Sequence, residues 1–369
     1  MLSSMNIFFE LIQVAVGTRD KMSRVPTANE WEEMLELARQ HTLVGVMLDG
    51  IERLPEDQRP DLDLKLEWIG EAMVIEEENK VKNRQTEKLV KILKKDGYNG
   101  VVLKGQGLAQ LYPKPLRRMS GDIDVWITSH SRDEVVKYLK GKGFDGRVVY
   151  HNVPVHCFKK TEVEIHFTPS WMNSWFENRK LQHWFGMMKD KTEVATLSTG
   201  EQIPVPSDTF NAVFVLQHIY RHLFGSGIGL RQLMDYYYVL RQVSSEGLAV
   251  SGDIIHQISS ILHQLRMDKF TAAVMWVLKE VMAMPQEWML CEPNEKEGRW
   301  LLKEIMLAGN FGHYDERISI PENESKVHSF FRITKQNMRL LGHYPDETLW
   351  NPLYRAWHYC WRKVKGYRV

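Results

Sequence analysis

The feature that most constrains this chain is a short apolar strand that carries two carboxylates, Gly121-Asp122-Ile123-Asp124-Val125. Successive side chains of an extended strand point to opposite faces, so Asp122 and Asp124 are predicted to project together while Ile123 and Val125 enter the core. Two carboxylates about 4 Å apart repel each other by roughly 4 kcal/mol at the effective dielectric of a protein surface. Carboxylate oxygens suit Mg²⁺, which usually keeps waters and substrate phosphates among its ligands. The strand therefore predicts a metal-dependent phosphoryl-transfer site.

A third carboxylate follows in a second apolar strand, Val163-Glu164-Ile165-His166, 40 positions after Asp124. Glu164 and His166 share one face of this strand, whereas Val163 and Ile165 share the other. We expect Glu164 to lie beside the first two carboxylates. His166 is interpreted either as a contact to nucleotide or acceptor, or as a hydrogen-bonded structural residue.

A glycine-containing turn, Lys104-Gly105-Gln106-Gly107, lies between a predicted strand and a predicted short helix. Glycine lets the backbone approach a phosphate, and the first amides of a helix point toward an anion. The same pattern is also typical of a simple tight turn. Arg117 and Arg118 follow on a loop, where they could hold a triphosphate through paired hydrogen bonds or simply be exposed.

The periodicity of apolar residues divides the chain into three parts. Residues 1–96 and 207–369 read as helical, and helix and strand signals alternate across 97–206. This order predicts an α+β protein whose small mixed β-sheet is flanked by an N-terminal and a C-terminal helical region. The predicted strands are Val101–Leu103, Asp122–Ile127, Arg147–Tyr150, Val155–Phe158 and Glu162–Phe167.

Charge and composition limit the partners. The 48 basic and 47 acidic residues leave a formal charge of +1, which does not favour a broad surface for duplex nucleic acid. No stretch approaches the roughly 20 apolar residues of a membrane span, and no secretory leader is evident. Three widely separated cysteines favour a reducing compartment, so a cytoplasmic location is predicted.

Two further segments allow alternative interpretations. His218 and His222 are one helical turn apart, which resembles half of a zinc site without an evident third ligand. Arg231 and Asp235 are interpreted as an ion pair, or as part of a helix that closes over the nucleotide or acceptor. The aromatic and basic tail from Trp357 to Lys363 is expected to pack through its Trp residues; the alternatives are a membrane surface or single-stranded nucleic acid.

Together these motifs resemble the DNA polymerase beta-like nucleotidyltransferase superfamily, and more closely the bacterial "uncharacterised nucleotidyltransferase" family. The resemblance is strongest over residues 100–170 and extends weakly over most of the chain. The segments that carry it are Leu103-Lys104-Gly105, Leu111-Tyr112-Pro113, Arg117 to Asp124, Val163 to His166, and the helical segment with His218, His222, Arg231 and Asp235.

The resemblance implies roles for these residues. Asp122 and Asp124 would bind two Mg²⁺ ions, and Glu164 would bind one of them and help to deprotonate the acceptor hydroxyl. Gly105 and the amide of Gln106 would contact the β- and γ-phosphates. The wider nucleotide-binding group would comprise Lys104, Gly105, Gln106, Arg117, Arg118 and His166.

The implied activity is transfer of a nucleoside monophosphate from a nucleoside triphosphate to a hydroxyl acceptor, with release of pyrophosphate. The acceptor, a small molecule or a protein, is not identified by the sequence. One departure matters, because the superfamily turn is usually Gly-Ser or Gly-Gly and this chain has Gly105-Gln106. The alternatives are therefore an inactive relative that binds a partner, and an RNA-directed, toxin-like transferase.

Overall fold

The computed structural model describes residues 2–144, 146–245, 251–315, 317 and 324–367. A four-stranded mixed sheet and a two-stranded hairpin lie among many helices. The α+β class predicted from the sequence is confirmed. None of the helices in the described ranges is both long and apolar enough to cross a membrane.

The N-terminal part is helical, as predicted. Its second helix begins with a capping box, in which the Thr27 hydroxyl accepts from the backbone N–H of Glu30 and the Glu30 carboxylate accepts from the N–H of Thr27. The buried apolar stripe of this helix, spaced i, i+3, i+4 and i+7, consists of Trp31, Met34, Leu35 and Ala38. The helices are α1 Leu2–Val16, α2 Ala28–Gln40, α3 Val44–Arg53 and α4 Leu62–Lys95.

The central sheet has the strand order β1-β2-β4-β3, in which β2 and β4 are parallel and the other pairs are antiparallel. Its two acidic strands are therefore neighbours, although 35 residues separate their ends. The elements are β1 Gly100–Leu103, α5 Gly105–Ala109, β2 Ile123–Ile127, α6 Arg132–Gly141, β3 Asn152–Val155 and β4 Val163–His166.

The strand predicted over Arg147–Tyr150 is wrong, and the one predicted over Val155–Phe158 lies earlier in the chain, at Asn152–Val155. The segment before β3 instead turns back on it, because the N–H of Val149 donates to the carbonyl of Asn152 at 3.0 Å. Gly146 also lies against β3, where a Cβ would sit 2.1 Å from the carbonyl oxygen of Pro154. This close approach replaces strand pairing.

The C-terminal part is again helical, as predicted, after a β-hairpin that turns near Gly200. The hairpin strands are antiparallel. The elements are α7 Trp175–Met188, β5 Thr192–Thr196, β6 Gln202–Pro206, α8 Asp208–Leu223, α9 Leu230–Ser245, α10 Ser251–Gln264, α11 Asp268–Met282, α12 Glu295–Ala308, α13 Lys326–Asn337 and α14 Pro345–Val364.

Two hydrophobic clusters hold these elements together. The larger one joins helices from both ends of the chain, with Ile12 of α1 and Leu278 of α11 in the same cluster. The smaller one backs the sheet, where Val125 of β2 packs with residues of α4 and α6. On the opposite face, Trp126 stacks on Phe210 of α8 with the ring centroids 5.6 Å apart. The face that carries Asp124 is thus the face that α8 covers.

Candidate active site

The parallel pairing of β2 with β4 sets the positions of the carboxylates. Asp124 lies opposite Glu164, and the next pair on the same face is Trp126 with His166. Asp122 precedes β2 by one residue and also lines the cleft above the sheet. The structure thus places Asp124 and Glu164 side by side, whereas Asp122 lies one residue before the start of β2.

His166 joins the two paired carboxylates. Its Nε2 is 2.8 Å from Oδ1 of Asp124 and 3.3 Å from Oε2 of Glu164. One ligand atom from each of these three residues lies within 4.8 Å of the others, a spacing suited to one metal ion. Asp122 is not a member of this close group in the described part of the chain. Asn152 of the neighbouring strand donates its side-chain amide to Oε2 of Glu164.

The charges in the cleft act on one another. The negative charge of Asp124, with burial as the second cause, raises the pKa of Asp122. Burial would raise the pKa of Glu164, but the hydrogen bond and charge of His166 outweigh it and lower that pKa. Burial would lower the pKa of His166, but hydrogen bonds to both carboxylates raise it to about 8. Repulsion at Asp122 is what a cation-binding carboxylate is expected to experience before the cation arrives.

The glycine turn lies directly against this group. Lys104 and Gly105 both have positive φ angles, of 45° and 40°. A Cβ on Gly105 would lie 3.4 Å from the carbonyl oxygen of Asp122. Nζ of Lys104 is 3.2 Å from Oδ2 of Asp124, so this lysine partly balances the carboxylates. The backbone of the turn is therefore close enough to the acidic strand to share a ligand with it.

Gln106, the residue that departs from the superfamily pattern, points away from the cleft. Its buried side chain donates to the side-chain oxygen of Asn83 and lies 3.5 Å from the carbonyl of Asn79, both on α4. The side chain connects the turn to the long N-terminal helix. Its contribution to the cleft is therefore limited to its backbone.

The two predicted loop arginines already have carboxylate partners. Arg117 lies outside the cleft, with its guanidinium bound by Asp49, Glu52 and Glu76. Its predicted contact with a triphosphate is not supported by this position. Arg118 is 2% exposed and makes two hydrogen bonds of 2.6 and 2.8 Å to Asp235.

Asp235 therefore pairs with a residue that the sequence did not suggest. The predicted partner, Arg231, lies 3.8 Å away, farther than Arg118. The hydroxyl of Tyr112 donates to the same carboxylate at 2.7 Å. This buried network forms the inner wall of the site, in a recess that Gly105 and Asp122 also line.

Helix α8 forms the opposite wall of the cleft. His218 and His222 are 2.9 Å apart through their Nε2 atoms, and His218 is 3.2 Å from Nζ of Lys104. Between them in sequence, Arg221 contacts both histidines at 3.2 Å. Burial, with neighbouring cations as the second cause, holds the pKa of each histidine well below its usual range. The site is thus lined by neutral imidazoles and cations opposite a row of acids.

The sequence interpretation missed Arg221, although a signal for it was present. Positions 218, 221 and 222 follow the i, i+3, i+4 spacing of one helical face, which places the arginine beside the two histidines. The resulting cleft has a volume of about 350 Å³. Its lining includes Lys104, Asp122, Arg147, His151, Asn152, Glu164, His218, Arg221 and His222.

The family described as uncharacterised nucleotidyltransferase matches residues 27–283, which include α2 to α11 and both acidic strands. The chain belongs to this uncharacterised nucleotidyltransferase family. The resemblance inferred from the sequence motifs is confirmed. The family assignment covers Asp122, Asp124 and Glu164 as well as the cleft wall on α8.

Solved structures with a similar fold include the following chain. This protein is similar to an antigenic nucleotidyltransferase-like protein from Paracoccidioides brasiliensis, at 12% sequence identity and a TM-score of 0.31. That alignment covers 50% of this chain and 91% of the other. No curated protein matches the sequence.

Proposed function

We propose that this protein transfers a nucleoside monophosphate from a nucleoside triphosphate to a hydroxyl group of an acceptor. The observation that carries the proposal is the pairing of Asp124 with Glu164 on adjacent parallel strands, with Asp122 at the end of the same row. Membership of a nucleotidyltransferase family supports the same reaction class. In this reaction the acceptor oxygen bonds to the α-phosphorus as the bond from that phosphorus to the bridging oxygen breaks, and pyrophosphate leaves.

The donor set fits a divalent cation. Asp124 and Glu164 offer carboxylate oxygens within bonding range of one ion, and the repulsion that raises the pKa of Asp122 would be relieved by positive charge. Asp122, Asp124 and Glu164 would hold Mg²⁺, with His166 as a neighbouring ligand or hydrogen-bond donor. When bound, Mg²⁺ supplies charge that stabilises the attacking and leaving oxygens.

The side chains of the cleft have separate tasks in this proposal. Glu164 accepts the proton that the acceptor hydroxyl loses, since its lowered pKa keeps it ionised. Gly105 and the amide of Gln106 hold the triphosphate, supported by the contact of the turn with Asp122. Lys104 adds positive charge between the acids and the phosphates, because its ammonium already lies 3.2 Å from Asp124.

A second candidate function is partner binding by a non-catalytic member of the fold. The observation that favours it is that Lys104 and His166 already neutralise Asp124, so the carboxylates have internal partners. The orientation of Gln106 toward α4 is consistent with either function. Metal-dependent nucleotide binding separates the two candidates.

The test is isothermal titration of the full chain with each of the four nucleoside triphosphates, with and without Mg²⁺. We expect Mg²⁺-dependent binding of at least one of them, and its loss in Asp122→Asn/Asp124→Asn. Asp20→Asn, which changes an exposed aspartate outside the cleft, is the matched control. Incubation with α-labelled triphosphates and a cell extract then tests transfer. Binding that is equal in wild type and the double variant would contradict the proposal.

A cytoplasmic location is also proposed. Its support is chemical, because Cys157, Cys291 and Cys360 are all free thiols. Free cysteines are typical of reducing compartments. Alkylation of the protein in freshly lysed cells, followed by mass spectrometry, should find all three reduced.

A further inference from the structure

Three arginines that line the cleft or the groove adjoining it have no carboxylate partner. Among the residues that the structure describes, no Asp or Glu oxygen lies within 4.0 Å of the guanidinium groups of Arg147, Arg221 and Arg362. The whole chain carries nearly equal numbers of acidic and basic residues, so this grouping is local. Guanidinium groups without carboxylate partners that line adjoining cavities are typical of a site that receives an anion.

Arg221 is the innermost of the three. Its Nη1 is 3.5 Å from Nε2 of His151, its other contacts are His218 and His222, and its buried Nε has no hydrogen-bond partner. The guanidinium lies 4.1 Å from the ring centroid of Trp171, which fixes its plane. Burial lowers the pKa of all three histidines, so they are neutral neighbours. The arginine therefore has no directly paired carboxylate among the described residues, and the acids of the cleft act on it only from beyond ion-pair distance.

Arg362, on α14, is 5% exposed, and both its Nε and its Nη1 lack hydrogen-bond partners. It lines a groove of about 700 Å³ between α13 and α14, together with Arg355 and His358. A buried guanidinium with unpaired donors is costly unless a ligand satisfies them. The groove thus offers directed donors as well as positive charge.

Arg147 connects the two spaces, because it lines both the cleft and the groove. It is exposed, and its place at the rim follows from Gly146, which lies too close to Pro154 for any side chain. Arg147 therefore lies between Glu164 in the cleft and Arg362 in the groove. The acidic residue that lines the groove, Glu324, is paired with Arg332.

We propose that Arg147, Arg221 and Arg362 bind a phosphate group of the acceptor, so that the acceptor is a compound carrying both a hydroxyl and a phosphate. This inference rests on the proposed nucleotidyl transfer. It assigns the phosphate to the acceptor because Arg147 and Arg221 line the same cleft as Glu164, the group proposed to take the hydroxyl proton, and Arg362 lies in the groove that Arg147 also lines. The triphosphate is proposed to bind at Gly105, which lines the inner recess that none of the three arginines lines.

The test uses inorganic phosphate as the probe and the full chain saturated with Mg²⁺ and a non-hydrolysable nucleoside triphosphate. Isothermal titration of phosphate should show binding to this complex. Arg147→Gln should weaken phosphate binding about tenfold, the loss of one charge-assisted contact, and leave nucleotide affinity within about twofold. Arg362→Gln should behave alike. Arg299→Gln, at an exposed arginine outside both spaces, is the charge-matched control and should change neither affinity.

Each failure has a different meaning. Displacement of phosphate by the nucleotide analogue, with weaker nucleotide binding in Arg147→Gln, would assign the arginines to the triphosphate and overturn the acceptor assignment. Absence of phosphate binding to the saturated protein would overturn it too. Absence of Mg²⁺-dependent nucleotide binding would refute the proposed function and with it the acceptor assignment, and titration of phosphate into the nucleotide-free protein would then decide separately whether the arginines bind phosphate. Because Arg147 is exposed, its variant is expected to fold even where Arg362→Gln does not.

Discussion

His166 and Asp124 occupy neighbouring parallel strands, and Nε2 of the histidine is 2.8 Å from Oδ1 of the aspartate. The same nitrogen is 3.3 Å from Glu164. In the metal-free protein a proton on this histidine therefore offsets two carboxylates at once. The arrangement makes both stability and metal binding sensitive to pH.

The first prediction concerns that sensitivity. The hydrogen bonds that His166 donates to the two carboxylates overcome burial and raise its pKa to about 8, whereas an unfolded histidine titrates near 6.5. The folded protein thus holds the proton more tightly, and this stabilisation is present below about pH 6.5 and lost as the pH rises through 8. In urea unfolding with EDTA, wild type should lose roughly 2 kcal/mol more than His166→Gln between pH 6 and pH 9. Equal losses of stability in wild type and His166→Gln over this pH range would show that His166 is not charged in the folded protein.

A second prediction follows from the repulsion at Asp122. Its pKa is raised mainly by Asp124, so the ionised form is disfavoured in the fold and Asp122 destabilises the metal-free protein near pH 7. Asp122→Asn should therefore have a higher urea midpoint than wild type in EDTA. With Mg²⁺ or Mn²⁺ at 100 times Kd, wild type should gain about 2.7 kcal/mol, and Asp124→Asn and Glu164→Gln should gain far less. Equal gains in all variants would place the metal elsewhere.

The third prediction tests whether Arg118 is structural. Arg118→Met would leave Asp235 buried with a distant cation, at a cost of about 3–5 kcal/mol in urea unfolding. The double variant Arg118→Met/Asp235→Leu should recover most of that stability, because neither charge is then left alone. Its nucleotide affinity should stay within about twofold of wild type. Restored stability with lost nucleotide binding would instead make Arg118 a phosphate ligand, as first predicted from the sequence.

The fourth prediction addresses Gln106. Gln106→Ala removes the donor to Asn83 and should cost about 1–3 kcal/mol of stability, since a buried acceptor loses its partner. Mg²⁺-dependent nucleotide affinity, measured by titration calorimetry, should change less than twofold because the side chain of this residue contacts α4 and not the cleft. Unchanged stability combined with weaker nucleotide binding would contradict the observed orientation.

Local features of this fold could be predicted from the sequence. The capping box at Thr27 and the buried stripe that begins at Trp31 depend on residues within two helical turns. The shared face of Asp122 and Asp124 depends only on strand alternation. The strand at Arg147 was predicted wrongly, because β propensity carries no information about the close approach of Gly146 to Pro154.

Long-range pairings could not be predicted in this way. Arg118 looks like an exposed loop residue, and its burial depends on Asp235, 117 positions later. The adjacency of β2 and β4 likewise depends on the strand order. That order is determined by the packing of the whole sheet and cannot be inferred from the residues of either strand alone. The position of Arg221 in the cleft could have been predicted, because its i, i+3 spacing from His218 places both residues on one helical face. The unpaired state of its guanidinium required the structure.

Trp126 has a consequence for how this protein can diverge. The residue lies two positions after Asp124, on the same face of β2, and its ring stacks against Phe210 of the helical bundle. A mutation that reshapes the bundle at Phe210 will therefore shift the strand that presents the carboxylates. A protein with the same sheet and a different helical bundle would therefore need a different residue at position 126, and grafting the sheet alone onto another bundle would leave Trp126 without its partner.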